Sequence, residues 1–338
     1  MNDERRDRAV AAMVDAGIDA LILGREANAR YVSGARRLWL ANARAFAPGC
    51  VLLANGDVHI LNASDDGIPA DVPFEHIYPL RWNPASMWAR LGSIPQLASA
   101  RVIGVDALTP LMESLLKTTF PNAEVRDGQA LLFEARLRKL PAELDLMRRS
   151  CGVAADVLDE VIAAAVPGAR ERDLRALFTQ RMCEQGTTTP AFEGVFGGVF
   201  PSDRALEAGE RVVLDVGVLV DGYEGGLART ILCAGDNGPT NPATELFVAL
   251  AGAVRPGASG DGLRSVYEDA GIALPASPIA HGVGIGVEPP FIGDDEVAFV
   301  EGMTLSIRAE VQGWVHRDLV LVTEAGAGVL AASHRRSA

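Results

Sequence analysis

The chain has 338 residues, of which 49% are hydrophobic, and a formal net charge of −13 at pH 7. The length predicts two domains, and the negative charge argues against nucleic-acid binding, since phosphates are bound by basic surfaces. No apolar run approaches the ~20 residues of a membrane span, and the charged N-terminus has no signal-peptide core, so we expect a cytoplasmic protein that does not bind membranes.

The first domain is predicted to be α/β, because short strands alternate with helices along the chain. A helix is expected at 3–16, and strands at 19–23, 50–53, 58–61 and 102–105. Further on, Pro141 interrupts a charged amphipathic stretch, which is typical of the first turn of a new helix. We therefore expect a smaller α/β domain at residues 1–130 and a second domain at 131–338.

The second domain contains an internal repeat. The residues Pro167, Leu174, Arg175 and Phe178 recur 89 residues later as Pro256, Leu263, Arg264 and Tyr267. Each copy is expected to be two helices around a Pro-Gly turn, followed by strands. The repeat predicts a pseudo-twofold α+β domain with its site between the two halves.

A hairpin is predicted where Asp221-Gly222 separates the strand-like segments 212–220 and 223–233. This turn places Asp215 opposite Ala228. Because side chains alternate along a strand, Gly226 lies on the face of Ala228 and is a diagonal neighbour of Asp215. A carboxylate at position 226 would face a cation together with Asp215, but glycine stands there.

The hairpin and several other motifs together resemble the creatinase/aminopeptidase P/methionine aminopeptidase superfamily. These motifs are NARYVSG at 28–34, RKLPAE at 138–143, the hairpin strands at 212–233, HGVG at 281–284 and the segment 302–324. The resemblance implies a creatinase-type N-terminal domain, a pita-bread C-terminal domain of the α+β class, and a homodimer.

The metal-dependent members of this superfamily use two Asp, one His and two Glu as ligands. By this resemblance Asp215 and His281 match one Asp and the His. Gly226, Arg308 and Arg317 stand where the other Asp and the two Glu would be. A guanidinium is permanently charged and has no lone pair for a metal. The sequence therefore predicts no metal site and no cofactor.

The predicted pocket centres on Asp215 and His281, a pair suited to general acid–base catalysis. Arg308 and Arg317 would clamp a carboxylate or phosphate of a small anionic substrate. The other predicted substrate-binding residues are Glu193, Glu224, Glu310, His316 and Arg36. An equally weighted alternative is structural: Arg308 would pair with Asp215, Arg317 with Asp318 or a helix end, and His281 would be a core residue.

The function that the residues and the resemblance favour is a metal-independent, creatinase-like enzyme that hydrolyses a C–N bond of a small anionic amino-acid-type substrate. Hydrolysis rests on analogy alone. Creatine itself is disfavoured, because Ala228 and Arg308 stand where such chemistry needs acids. The alternative is a non-catalytic pseudo-aminopeptidase that serves as a binding or regulatory module, and a metal-dependent Xaa-Pro aminopeptidase is least favoured.

Overall fold

The computed structural model describes residues 2–35, 47–62, 64–233, 241–292 and 297–331. The chain divides into two compact units, Met1–Arg136 and Leu137–Ala338, whereas the sequence places the boundary after residue 130. Within the described ranges, no helix combines the length and the apolar character needed to cross a membrane.

The first unit is built on a six-stranded sheet in the order β4-β3-β2-β1-β5-β6. Its strands are β1 Ala20–Leu23, β2 Cys50–Leu53, β3 Val58–Asn62, β4 Ile77–Pro79, β5 Val102–Val105 and β6 Glu124–Asp127. Its helices are α1 Asn2–Asp15, α2 Glu26–Ser33, α3 Pro84–Leu91, α4 Pro95–Ala98, α5 Pro110–Thr119 and α6 Gly128–Leu137, the last of which ends at the unit boundary. Strand β1 runs parallel to β5 and antiparallel to β2.

A stack of aromatic rings joins β3 to the segment that leads into β4. The rings of His59 and His76 lie 4.0 Å apart between centroids, and His59 Nδ1 is 2.9 Å from the hydroxyl of Tyr78. Nε2 of His59 is buried and has no hydrogen-bond partner among the described residues. Burial, with a smaller contribution from His76 and against that of Asp57, lowers the pKa of His59 to about 4.

We expect His59 to remain neutral down to about pH 4 in the folded chain. An unfolded histidine binds its proton near pH ~6.5, so the folded state loses stability as pH falls from there towards 4. NMR titration of the ring proton that disappears in His59→Gln measures this pKa. Titration of that signal near pH 6.5 would contradict the expectation. The histidine pKa measured in a denatured sample provides the reference value.

The second unit contains four helices among its described residues, α7 Pro141–Ala164, α8 Glu171–Glu184, α9 Pro242–Ala253 and α10 Gly260–Asp269. Its strands are β7 Val195–Phe196, β8 Arg211–Val220, β9 Tyr223–Leu232, β10 Ala280–Gly284, β11 Gly286–Ile292, β12 Thr304–Val311, β13 Trp314–Thr323 and β14 Gly326–Val329. The strands form one sheet in the order β11-β10-β12-β13-β9-β8-β7, with β14 paired to β13.

The internal repeat of the sequence is visible in this unit. Helix α8 begins at Glu171 and helix α10 begins at Gly260, which keeps the 89-residue spacing of the sequence repeat. The first helix pair leads through β7 into the β8–β9 hairpin, and the second leads through β10 and β11 into the β12–β13 hairpin. The two hairpins adjoin through β9 and β13 at the centre of the sheet, so the predicted duplication is confirmed.

One face of this sheet packs on the helices and the other carries the candidate site. In β8, Leu214 and Val216 belong to the core shared with α7 and α8, and in β12, Ile307 and Ala309 belong to the core shared with α9. Because side chains alternate, the residues between them point to the opposite face. Asp215 is therefore directed away from the helices.

The β8–β9 hairpin has the turn that its sequence predicts. Asp221 and Gly222 both have positive φ, 47° and 84°, a combination that Asp-Gly tolerates and that matches the twist of the strands. The resulting register pairs Asp215 with Ala228, as predicted.

Candidate functional site

A row of residues crosses four adjacent strands on the face away from the helices. Register pairs Asp215 with Ala228, Ala228 with Arg317, and Arg317 with Arg308. Two like charges directly opposite each other in a sheet repel. Asp215 accepts hydrogen bonds from both arginines, so its carboxylate holds the two cations together. We call Asp215, Arg308 and Arg317 the charged row.

Arg317 is buried and its donors are engaged. Its Nε and one Nη donate to Asp215 Oδ1 at 3.1 and 2.6 Å. The Nη groups also donate to the carbonyl of Val216 at 3.2 Å and to Ser306 Oγ at 3.3 Å. The ring of Phe192 lies 5.0 Å from the guanidinium carbon. Arg317 is thus fixed as part of the structure rather than presented to a ligand.

The guanidinium of Arg317 fills the space next to Gly226. A Cβ at Gly226 would lie 2.9 and 3.1 Å from the two Nη atoms of Arg317 and 3.0 Å from the carbonyl oxygen of Val216. The 2.9 Å contact is shorter than real Cβ atoms make, and the other two are tighter than most, so the end of the Arg317 side chain would have to shift. The guanidinium of Arg317 therefore occupies space that is available because residue 226 has no side chain.

Arg308 is the more accessible arginine of the charged row. Its Nη1 donates to Asp215 Oδ2 at 2.9 Å and its Nε to Glu310 Oε2 at 3.3 Å. The side chain is 27% exposed, and its second Nη has no hydrogen-bond partner within the described ranges. Arg308 can therefore offer free N–H groups to an anion without leaving Asp215.

His281 lies beside the charged row on β10. It pairs in register with Ser306, and Arg308 is two residues further along the same face of β12. His281 Nδ1 is 2.8 Å from the carbonyl oxygen of Gly282. Since a carbonyl only accepts, Nδ1 carries the proton and Nε2 presents a lone pair. Burial lowers the pKa of His281 against the hydrogen bond to Gly282, and the charge of Arg317 lowers it further, against Asp215.

Glu224 is a buried carboxyl group on the face of Gly226. It is 3% exposed, and no hydrogen bond to its carboxyl oxygens is found among the described residues. Burial raises its pKa, with Asp215 and Glu288 acting in the same direction and Arg317 against them. The protonated form of Glu224 therefore persists to higher pH than in an exposed glutamate.

The structure does not bring all predicted site residues together. Glu310 joins the row through Arg308, but Glu193 lies at the surface in a pair with Arg175. His316 precedes Arg317 on β13 and so points to the opposite face, where it contacts Asp318. Arg36 lies outside the described residues.

The partner of Arg317 also differs from the structural alternative. Arg317 binds Asp215, whereas Asp318 pairs with Arg229 at 2.9 Å on the other face. Sequence reasoning missed Ser306 and Phe192 as contacts of Arg317. Alternation along β12 would have placed Ser306 on the face of Arg308, but Phe192 lies outside the regular strands, where no periodicity identifies it.

The residues present do not fit a two-metal centre. Asp215, His281, Glu224 and Glu310 are the side chains around the charged row that are of types that bind metals. Both oxygens of Asp215 already accept from guanidinium groups, and Glu310 pairs with Arg308. No group of three or more His, Cys, Asp or Glu residues in the described part of the chain could hold a metal ion. An approaching divalent cation would be repelled by both arginines.

Comparison with known proteins gives matches along nearly the whole chain. Residues 5–138 match the Creatinase/Prolidase N-terminal domain and residues 145–324 match Metallopeptidase family M24. A Xaa-Pro dipeptidase from Pyrococcus furiosus is 24% identical, covering 98% of this chain and 99% of its own length.

Solved structures match over the same extent. The prolidase from Pyrococcus furiosus has a TM-score of 0.76 at 21% identity, covering 97% of this chain and 99% of that one. The dipeptidase PepE from Mycobacterium ulcerans has a TM-score of 0.72 at 25% identity, covering 98% and 96%. The predicted fold is confirmed: a creatinase-type N-terminal domain precedes a pita-bread domain.

The expectation of a metal-independent, creatinase-like hydrolase is wrong. The relative matched over its full length is named Xaa-Pro dipeptidase, and the family model that covers the charged row is that of a metallopeptidase family. The prediction went wrong because the absence of metal ligands at positions 226, 308 and 317 was taken as evidence of a creatinase-like enzyme. Those positions describe this site alone, and the relatives are peptidases by name.

Proposed function

Because this chain belongs to metallopeptidase family M24, we propose that it binds a dipeptide-like ligand at the charged row. We also propose that it does not hydrolyse this ligand through the metal pair of a metallopeptidase. The observation that carries the proposal is the engagement of Asp215: Arg308 holds one carboxylate oxygen and Arg317 holds the other. The chain keeps the fold of a peptidase family, while this site lacks the charge needed to collect cations.

The ligand class follows from the groups that remain accessible. Arg308 has N–H groups free for a carboxylate, which every dipeptide carries at its C-terminus. His281 Nε2, on the same face, can accept from an N–H of the ligand. The dipeptidase names of the relatives support a ligand of this size.

Calorimetric titration of the full chain with Ala-Pro tests the proposal. We expect binding that is unchanged by a chelator, and a Kd raised roughly 10- to 100-fold in Arg308→Gln, because a hydrogen bond between charged groups is lost. The matched control is Arg264→Gln, which removes an arginine that pairs with Asp261 on α10 and leaves the charged row intact. Equal loss of affinity in the two variants would refute a role for Arg308.

An assay of proline release from Ala-Pro in the presence of Mn²⁺, Co²⁺ or Zn²⁺ separates binding from hydrolysis. We expect no release above buffer and no stoichiometric metal in the purified protein. Release of proline, or about two ions per chain, would contradict the proposal and place the chain with its relatives as a peptidase. The homodimer and the cytoplasmic location stay predictions.

A further inference from the structure

A second set of reactive side chains lies on the helix side of the sheet, opposite the charged row. His316 Nε2 is 2.8 Å from Asp318 Oδ2, and His316 Nδ1 is 3.0 Å from the hydroxyl oxygen of Thr244. The imidazole stacks on Phe247 with centroids 4.5 Å apart. Thr244, His316 and Asp318 form a continuous chain of hydrogen bonds.

Asp318 sets which group donates in each of these hydrogen bonds. A carboxylate accepts only, so in the neutral imidazole the proton resides on Nε2 and Nδ1 presents a lone pair. The hydroxyl of Thr244 must then donate to Nδ1. Arg229 donates to both oxygens of Asp318, at 3.0 and 2.9 Å, and fixes its orientation. A hydroxyl, a base and a carboxylate that orients the base are the components of an activated nucleophile.

The burial of the three groups suits these roles. The side chains of His316 and Asp318 are 9% and 6% exposed, so the base is held away from water. Thr244 lies in the first turn of α9 and is partly exposed. Thr244 is thus the most accessible residue of the three, and its base is buried.

We propose that Thr244 is a nucleophile that accepts an acyl group from a small activated ester. The Thr244 oxygen forms a bond to the carbonyl carbon, and its proton passes to His316 Nδ1. The bond from that carbon to the leaving oxygen then breaks, and the proton on Nδ1 is delivered to that oxygen, which departs as an alcohol. No electrons are exchanged with another reagent, and Asp318 acts as a positioning residue.

The surrounding amides limit which esters react. The N–H of Ala243 and that of Thr244 both donate to Asn241, so they are engaged rather than free to stabilise an oxyanion. The acyl donor must therefore carry a good leaving group, as aryl esters do.

Incubation of the full chain with p-nitrophenyl acetate tests the proposal, with p-nitrophenolate release and peptide mass mapping as readouts. We expect one acetyl group on Thr244, none at that position in Thr244→Val, and a rate lower by about 100-fold or more in His316→Gln, since the general base is removed. Thr179→Val is the matched control, because Thr179 is an exposed helical threonine whose hydroxyl donates to a backbone carbonyl.

Peptide mapping of the natural chain decides the question even if His316→Gln does not fold. Acetylation elsewhere with Thr244 unmodified overturns the proposal. Unchanged labelling of Thr244 in a folded His316→Gln also overturns it, because the hydroxyl would then react without its base. Labelling retained in Thr244→Ser and lost in Thr244→Val supports it.

Discussion

A chain that carries Gly226→Asp, Arg308→Glu and Arg317→Glu together is expected to bind divalent cations. The formal charge of Asp215, Arg308 and Arg317 is about +1, and the three substitutions change the set at these positions to about −4. They also remove the guanidinium that occupies the space at position 226. Elemental analysis after dialysis against Mn²⁺ should find about two ions per chain, as in two-metal sites.

The matched control is Gly226→Asp alone. The new carboxylate would meet the Arg317 guanidinium and pair with it, so no stoichiometric metal is expected. Metal in the unaltered chain, or an empty triple variant with native circular dichroism, would show that the charged row does not decide metal binding. Because the readout is bound metal, the result does not depend on any catalytic activity.

The substitution Asp215→Asn should destabilise the second unit by about 3–5 kcal/mol, the usual result of leaving a buried charge without its partner. Arg317 is 6% exposed and would then face Arg308 with no carboxylate between them. Denaturation by urea, followed by circular dichroism, measures the change in the free energy of unfolding.

Two further variants serve as controls for the loss of unfolding free energy in Asp215→Asn. Glu113→Gln removes one partner of an exposed pair, whose side chains are 68% and 53% exposed, and should cost under about 0.5 kcal/mol. The double variant Asp215→Asn with Arg317→Met should recover part of the loss, because the buried cation is removed together with its counter-ion. A cost for Asp215→Asn as small as that for Glu113→Gln would contradict the interpretation of the row as an ion cluster.

Local rules were sufficient to predict much of the second unit. The Asp221-Gly222 turn fixes the register of its hairpin, and register alone puts Asp215 opposite Ala228. The 89-residue repeat likewise predicted two helix pairs, each followed by strands. The pairing of Arg308 with Asp215 was one of two alternatives, and the structure shows that contact.

Two kinds of contact were harder to predict: those that depend on which face of the sheet a side chain occupies, and those made by irregular segments. Alternation along β13 separates His316 and Asp318 from Arg317, and applied to the sequence alone it would have excluded both from the charged row. Glu193 is different, because it lies before β7 in a stretch without periodicity. The path of that stretch decides its surface pair with Arg175, and no sequence pattern indicates the path. The function was mispredicted because the residues at 226, 308 and 317 were given more weight than the similarity of the whole chain to peptidases.

The close fit of Gly226 and Arg317 couples the two positions. A side chain restored at 226 alone meets the guanidinium at about 3 Å. An acid restored at 317 alone places a second carboxylate beside Asp215 and leaves Arg308 to neutralise both. A change at either position alone meets an arrangement suited to the other residue, so the effects of substitutions at 226 and 317 are not expected to add. The effect of a substitution at one of these positions therefore has to be measured with each residue at the other.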